Sequence, residues 1–133
     1  MRVGLSLWFL VLGCEPRQRS EAKAIVSALE RYEAASANEK SSELGRLSSM
    51  RCTEPATCEA RDSCVAFART NMVAVQALDG VKIRMRDIES GLLAKDDPIA
   101  IALPTRLTFV EALLHRSEAE LLQCKEAVNR ALR

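Results

Sequence analysis

The chain has little of what usually marks a site or a turn. Across 133 residues there are one Trp, one Tyr, three Phe, one His, five Gly and four Pro. Scarce Gly, few β-branched runs and no alternating segments count against a sheet. A formal net charge of +1 gives no basis for electrostatic capture of nucleic acid, so no nucleic-acid partner is expected. No apolar run reaches the roughly 20 residues a membrane-crossing helix needs. What is present is 48% hydrophobic and 28% charged residues, a globular balance in one domain's worth of chain. Plentiful Ala, Leu, Glu and Arg favour helices, and the expected class is all-α.

The N-terminus carries the clearest motif. Arg2 precedes eleven uncharged, mostly apolar residues, Val3 to Gly13, which end in Val11-Leu12-Gly13-Cys14 and give way to the polar Glu15-Pro16-Arg17-Gln18. The length suits the apolar region of a secretory signal. The segment resembles a bacterial lipoprotein signal with its lipobox, over about a tenth of the chain. It departs from that pattern at Val11, where Leu is commonest, and at Leu12, where a small residue is commonest. The resemblance implies cleavage between Gly13 and Cys14 and lipid attachment at the Cys14 thiol. Several acyl chains there anchor firmly where one would not. It also implies a location in the bacterial cell envelope. Glu15, not Asp, follows the cysteine, which favours the outer over the inner membrane. The expected organisation is a signal peptide at 1–13, a lipidated tether at 14–20 and a helical domain at 21–133. Cleavage would leave 18 basic and 18 acidic side chains and only three aromatics, Tyr32, Phe67 and Phe109.

Three helical stretches follow. Ser20 is a candidate N-cap for the first, in which Ala22, Ile25, Val26, Leu29 and Tyr32 share a face. That pattern weakens near Asn38, where a kink or break is allowed, and resumes at Leu44 and Leu47. With seven large hydrophobics between residues 20 and 50, this stretch is expected to be the least well anchored. Pro55 suits the first turn of the second helix, which is expected to run to about Leu93. Cys64, Phe67, Asn71, Ala74, Leu78, Val81, Met85, Ile88 and Leu92 form a seam spaced by threes and fours. After Lys95-Asp96-Asp97-Pro98, a third helix repeats the spacing at Leu107, Val110, Leu114, Ser117, Leu121, Cys124, Val128 and Ala131. Two long helices with matched seams suggest an antiparallel hairpin, with the first stretch packed across it as a three-helix bundle.

The five cysteines resolve once one is acylated. Removing Cys14 leaves Cys52, Cys58, Cys64 and Cys124, an even number in an oxidising compartment, with three possible connectivities. Cys52–Cys58 would close a short turn around Pro55, and Cys64–Cys124 would staple the two long helices. At 1.5 Å per residue, helices from Cys64 to about 93 and from about 104 to Cys124 differ in length by about 15 Å. The connection 94–103 would have to climb back along the second helix, burying Ile99, Ile101 and Leu103. A tight connection would instead set Cys124 opposite Ala74. The Cys-x5-Cys-x5-Cys spacing is not that of a zinc site, and neither Cys-x-x-Cys nor Cys-x-x-Cys-His occurs, so no metal or cofactor is expected.

Few other residues suggest chemistry. His115 with Glu111 one turn earlier is a minimal acid–base pair, more commonly a solvated one. Asn71 either sets register within the seam or faces a solvent edge. Lys82, Arg84 and Arg86 form a basic patch in which Asp87 and Glu89 offset Arg84 and Arg86 at i,i+3, the pattern of a solvated face. No nucleotide loop, Ser-His-Asp set or paired-carboxylate cleft can be assembled, so no catalytic residue is nominated. The body is similar to small helical lipoproteins of bacteria with elaborate envelopes, a resemblance that supplies no function. The expectation is a membrane-anchored structural or interaction module, held to the membrane by lipid on Cys14 and meeting a protein partner. The alternative is a small-ligand or lipid-binding helical module of the periplasm.

Overall fold

A computed structural model describes residues 15–133. The expected signal peptide at 1–13, the expected cleavage between Gly13 and Cys14 and the expected lipid attachment at Cys14 lie outside the described residues. Helices hold 81% of the described residues, and no strand occurs among them, so the all-α expectation is met. Five helices follow in order: α1 (Arg17–Ala34), α2 (Lys40–Ser48), α3 (Pro55–Glu89), α4 (Pro98–Ile101) and α5 (Leu103–Leu132).

The first expected stretch is two helices. α1 begins at Arg17, ahead of the Ser20 cap and inside the expected tether. Its opening turn is held by the end of α5: Gln18 Nε2 donates to the Ala131 carbonyl at 3.0 Å and Arg19 Nε to the Leu132 carbonyl at 3.2 Å. These side chains occupy carbonyls that a helix C-terminus otherwise leaves unpaired. The break falls at Ala35, which is extended at ψ 142°. Ser36 then donates its N–H and hydroxyl to Glu39 Oε2, at 3.1 and 2.9 Å. The Ser36-Ala37-Asn38-Glu39 spacing is that of a capping box and restarts the chain into α2.

α3 starts at Pro55 as expected but stops at Glu89, short of Leu93. Gly91 takes φ +78°, open to glycine at no steric cost, and its N–H bonds the Ile88 carbonyl at 3.1 Å. Leu92, expected on the seam, lies past this stop and is 81% exposed. The early stop also changes the staple arithmetic. Cys64 is 25 residues from the end of α3, and Cys124 is 26 residues past Pro98 at the start of α4. Each span is roughly 38 Å, so α4, one extra turn before α5, closes the gap. The connection buries Ala100 and Leu103, while Ile99 and Ile101 stay 36% and 66% exposed, contrary to expectation. Asp97 caps α4 by accepting from the Ile99 N–H at 2.8 Å.

Both cystines form as expected. Cys52–Cys58 spans 5.1 Å and Cys64–Cys124 spans 4.6 Å between Cα atoms, within the reach of a disulfide. α3 and α5 share the most extensive helix–helix interface. Arg130 pairs with Glu59 at 2.8 Å, Cys124 with Cys64, and Val110 lines one cleft with Val81, so residue numbers fall on α5 as they rise on α3. The core sits at one end of this pair. Ile25, Leu29, Tyr32, Leu47, Cys64, Phe67, Ala68, Cys124 and Val128 form one buried cluster. Ala74, Val81, Val110 and Ser117 are also buried, but outside it, between α3 and α5 alone.

Candidate functional site

Two regions of unlike character divide the described residues: a base, where α1 and α2 cover the long helices, and an arm, where among the described residues only the short α4 at the tip packs on them.

The base is knit by polar contacts. Glu21 on α1 accepts from the Thr53 N–H at 3.0 Å and from the Thr53 and Thr57 hydroxyls, each at 2.7 Å. Those donors, led by the Thr53 backbone, hold its carboxyl down at about 2. The contact ties α1 to the loop closed by Cys52–Cys58. Tyr32 is fully buried, and its hydroxyl donates to the Ala68 carbonyl at 2.7 Å. Asn71 Oδ1 stands 3.0 Å from the same oxygen, where the other end of that amide would donate. Asn71 is therefore half-buried and turned toward α1. Burial raises the Tyr32 phenol well above its usual range. Lys40 is 8% exposed, donates a hydrogen bond to the Tyr32 carbonyl at 2.9 Å and sits 4.3 Å from the Tyr32 ring centroid. Desolvation lowers its pKa, partly opposed by Glu33. These bonds, with Ile25 and Tyr32 at zero exposure, anchor α1 better than its apolar count suggested.

The arm is read from the two interleaved rows of the long seam. One row is buried from Phe67 to Val81: Phe67, Ala74 and Val81 on α3 lie toward Leu103, Val110, Ser117 and Cys124 on α5, and only Ile88 at its end is intermediate. The other row changes along its length. On α3, Cys64 is buried, Asn71 and Leu78 are intermediate, and Met85 is 48% exposed. On α5, Val128 is buried, Leu121 and Leu114 are intermediate, and Leu107 is 38% exposed. The cause is α1. It lies on this second row at the base and ends at Ala34. A cleft of about 380 Å³ opens where it stops, lined by Glu33, Lys40, Asn71, Val75, Leu114 and Glu118 among others. Beyond that cleft the row continues uncovered. On the opposite side of the arm Phe109 is 57% exposed beside Gly80, Arg84 and Arg106.

The other nominated residues lie apart from this surface or along its edge. The His115 side chain is 91% exposed, and the carboxylate within ion-pair range is that of Glu118 at 3.9 Å, not Glu111. Arg84 pairs with Asp87 at 3.4 Å as the spacing predicts. Among the described residues no three of His, Cys, Asp and Glu gather as a metal set. No helix among them is long and apolar enough to cross a membrane. A further surface cleft of about 450 Å³ runs beside Val26, Leu29, Val128 and Leu132. Sequence reasoning missed Glu21, Lys40 and the division of the seam into a covered and an uncovered row. The Ser36–Glu39 box was a legible signal for the break, and Glu21 had none. No family model, curated protein or solved structure matches the chain.

Proposed function

We propose that this chain is an envelope lipoprotein that works as a protein-interaction module, with the arm of α3 and α5 as its working surface. In this reading the fold is a three-helix bundle built on an antiparallel hairpin, in which α1 and α2 together supply the third layer over the base. The observation that carries the interaction reading is the second seam row. Leu78, Met85, Leu107 and Leu114 keep a helix-packing pattern for two heptads past the last residue of α1. Exposed apolar surface arranged in register marks an interaction site more than scattered surface leucines do.

The anchoring part rests on the lipobox-like Val11-Leu12-Gly13-Cys14. Lipid on Cys14 would attach the membrane three residues before α1, at the base. The far end of the arm, at Gly91, would then stand about 50 Å of helix away, free to reach a partner. The balance of 18 basic and 18 acidic side chains after cleavage fits attachment by lipid rather than by charge. The cysteine count supports export, since two disulfides persist only in an oxidising compartment. Fractionation of cells producing a Cys14→Ser form tests the anchor. Release of the protein from the membrane fraction is expected, and continued association would overturn the anchoring claim.

A further inference from the structure

We propose that the uncovered row is a groove for one amphipathic helix of a partner protein, with basic residues along the edge that faces α5. This rests on the interaction-module reading and specifies its partner.

The chain itself shows what the groove takes. At the base the same face of α3 and α5 is filled by α1, an 18-residue helix that inserts Ala22, Ile25, Leu29 and Tyr32 at spacings of three and four. From Asn71 to Glu89 the groove runs on for 18 more residues, roughly 27 Å, room for a second helix of the same length on the same line. Its floor is Val75, Leu78, Met85, Leu107 and Leu114. A helix presenting apolar residues at i, i+3, i+4 and i+7 would bury this row as α1 buries Cys64 and Val128.

The charges choose the partner. Glu111 and Glu118 stand seven residues apart on the α5 edge, and Glu33 closes the groove where α1 ends, beside Lys40, whose ammonium is already bonded to the Tyr32 carbonyl. Among the described residues Glu111 has no ion pair, and Glu118 meets only His115 at 3.9 Å. The α3 edge offers Lys82 and Glu89. A lysine- or arginine-bearing edge laid against Glu111 and Glu118 would complement them, and an acidic one would be repelled. A second copy of this chain fits less well. Two arms docked antiparallel through this row would set Glu111 and Glu118 against themselves, and two docked parallel would bring both α1 helices into one space.

The test uses the disulfide-bonded chain from residue 14 onward, with position 14 as Ser. Two synthetic 18-residue helical peptides share one apolar stripe and differ only in carrying lysines or glutamates along one edge. Binding is followed by fluorescence anisotropy. The lysine peptide is expected to bind at least tenfold tighter than the glutamate peptide. Met85→Glu should weaken it at least tenfold, and a Glu111→Lys, Glu118→Lys pair should reverse the preference. Both sites are exposed, and unchanged circular dichroism and Tm confirm that the variants fold. Equal binding of both peptides, no binding, or a dimer in sedimentation that Met85→Glu dissolves would each overturn the proposal. A companion measurement separates this failure from that of the broader reading. A photo-reactive residue replaces Met85 or Phe109 in the anchored full chain in cells. Adducts at 85 that map to a basic amphipathic helix support the groove. Adducts only at 109 sink the groove while leaving an interaction module, and adducts at neither position sink both.

Discussion

Glu21 concentrates more structural consequence than any other single charged side chain. Its carboxylate is the acceptor for three donors, two from Thr53 in the loop before α3 and one from Thr57 in the first turn of α3, and its pKa falls from 4.5 to about 2 in the folded state. A group depressed on folding adds stability above its unfolded value and loses it as pH drops through its folded one. Thermal unfolding followed between pH 6 and 2 should therefore show a fall in Tm beginning near pH 4.5. Glu21→Gln should lower Tm at pH 6 and flatten that part of the profile; an unchanged profile would show that the Thr53 and Thr57 contacts contribute nothing. Two glycines should answer substitution with opposite signs. Gly80 lies inside α3 with nothing within 4 Å of an added Cβ, so Gly80→Ala should stabilise by about 0.5–1 kcal/mol. Gly91 at φ +78° should lose about 1–2 kcal/mol on the same change. Urea midpoints of the two variants, on either side of the parent, provide the check. Tyr32→Phe removes a buried donor from the Ala68 carbonyl and should cost about 1–2 kcal/mol in the same assay.

At the level of helices, the long staple governs how α3 and α5 stay in register. Its loop of 60 residues predicts about 4 kcal/mol from chain entropy, against about 2 for the six-residue loop at Cys52–Cys58. Replacing Cys64 and Cys124 by Ala should lower the denaturation midpoint clearly more than replacing Cys52 and Cys58. Equal losses would show that the short bridge, through its tie to Glu21, matters as much. Much of this level was legible in the residues. Pro55 marked the start of α3, the threes-and-fours spacing marked both long helices, and the even cysteine count with the seam positions pointed to both pairings, although the expected helix lengths left a gap to close. The helix ends were less legible. Ser20 has the chemistry of a cap, yet carbonyls at the far end of the chain draw Gln18 and Arg19 into the helix first, a contact 113 residues apart in sequence. Gly91 was countable, but its positive φ was not, and that angle shortened α3 and reduced the climb asked of the connection. For the candidate site, both rows of the seam read alike as sequence. Only the length of α1 against that of α3, 18 residues against 35, decides that one row is half uncovered.

For the whole molecule, stability should be distributed unevenly. The base holds the buried cluster, both cystines and the bonds of Tyr32 and Lys40, whereas the arm has one row of contacts between two helices. Hydrogen exchange should therefore show amides in 75–88 and 104–114 exchanging faster than those in 57–68 and 121–131, by local opening that leaves the base folded. Uniform protection along α3 would contradict the division into base and arm.

The bonds from Gln18 and Arg19 to the last turn of α5 bring residues far apart in the chain side by side. The order in which the helices are strung is therefore separable from the shape they make. A permuted chain opened between Lys95 and Asp96, with Arg133 joined to Glu15 through a few glycines and serines, would keep every helix and both cystines. It would leave α3 and α5 linked at the tip by no covalent path, so their alignment there would rest on the packed row, with the Cys64–Cys124 bond and the base contacts holding the other end.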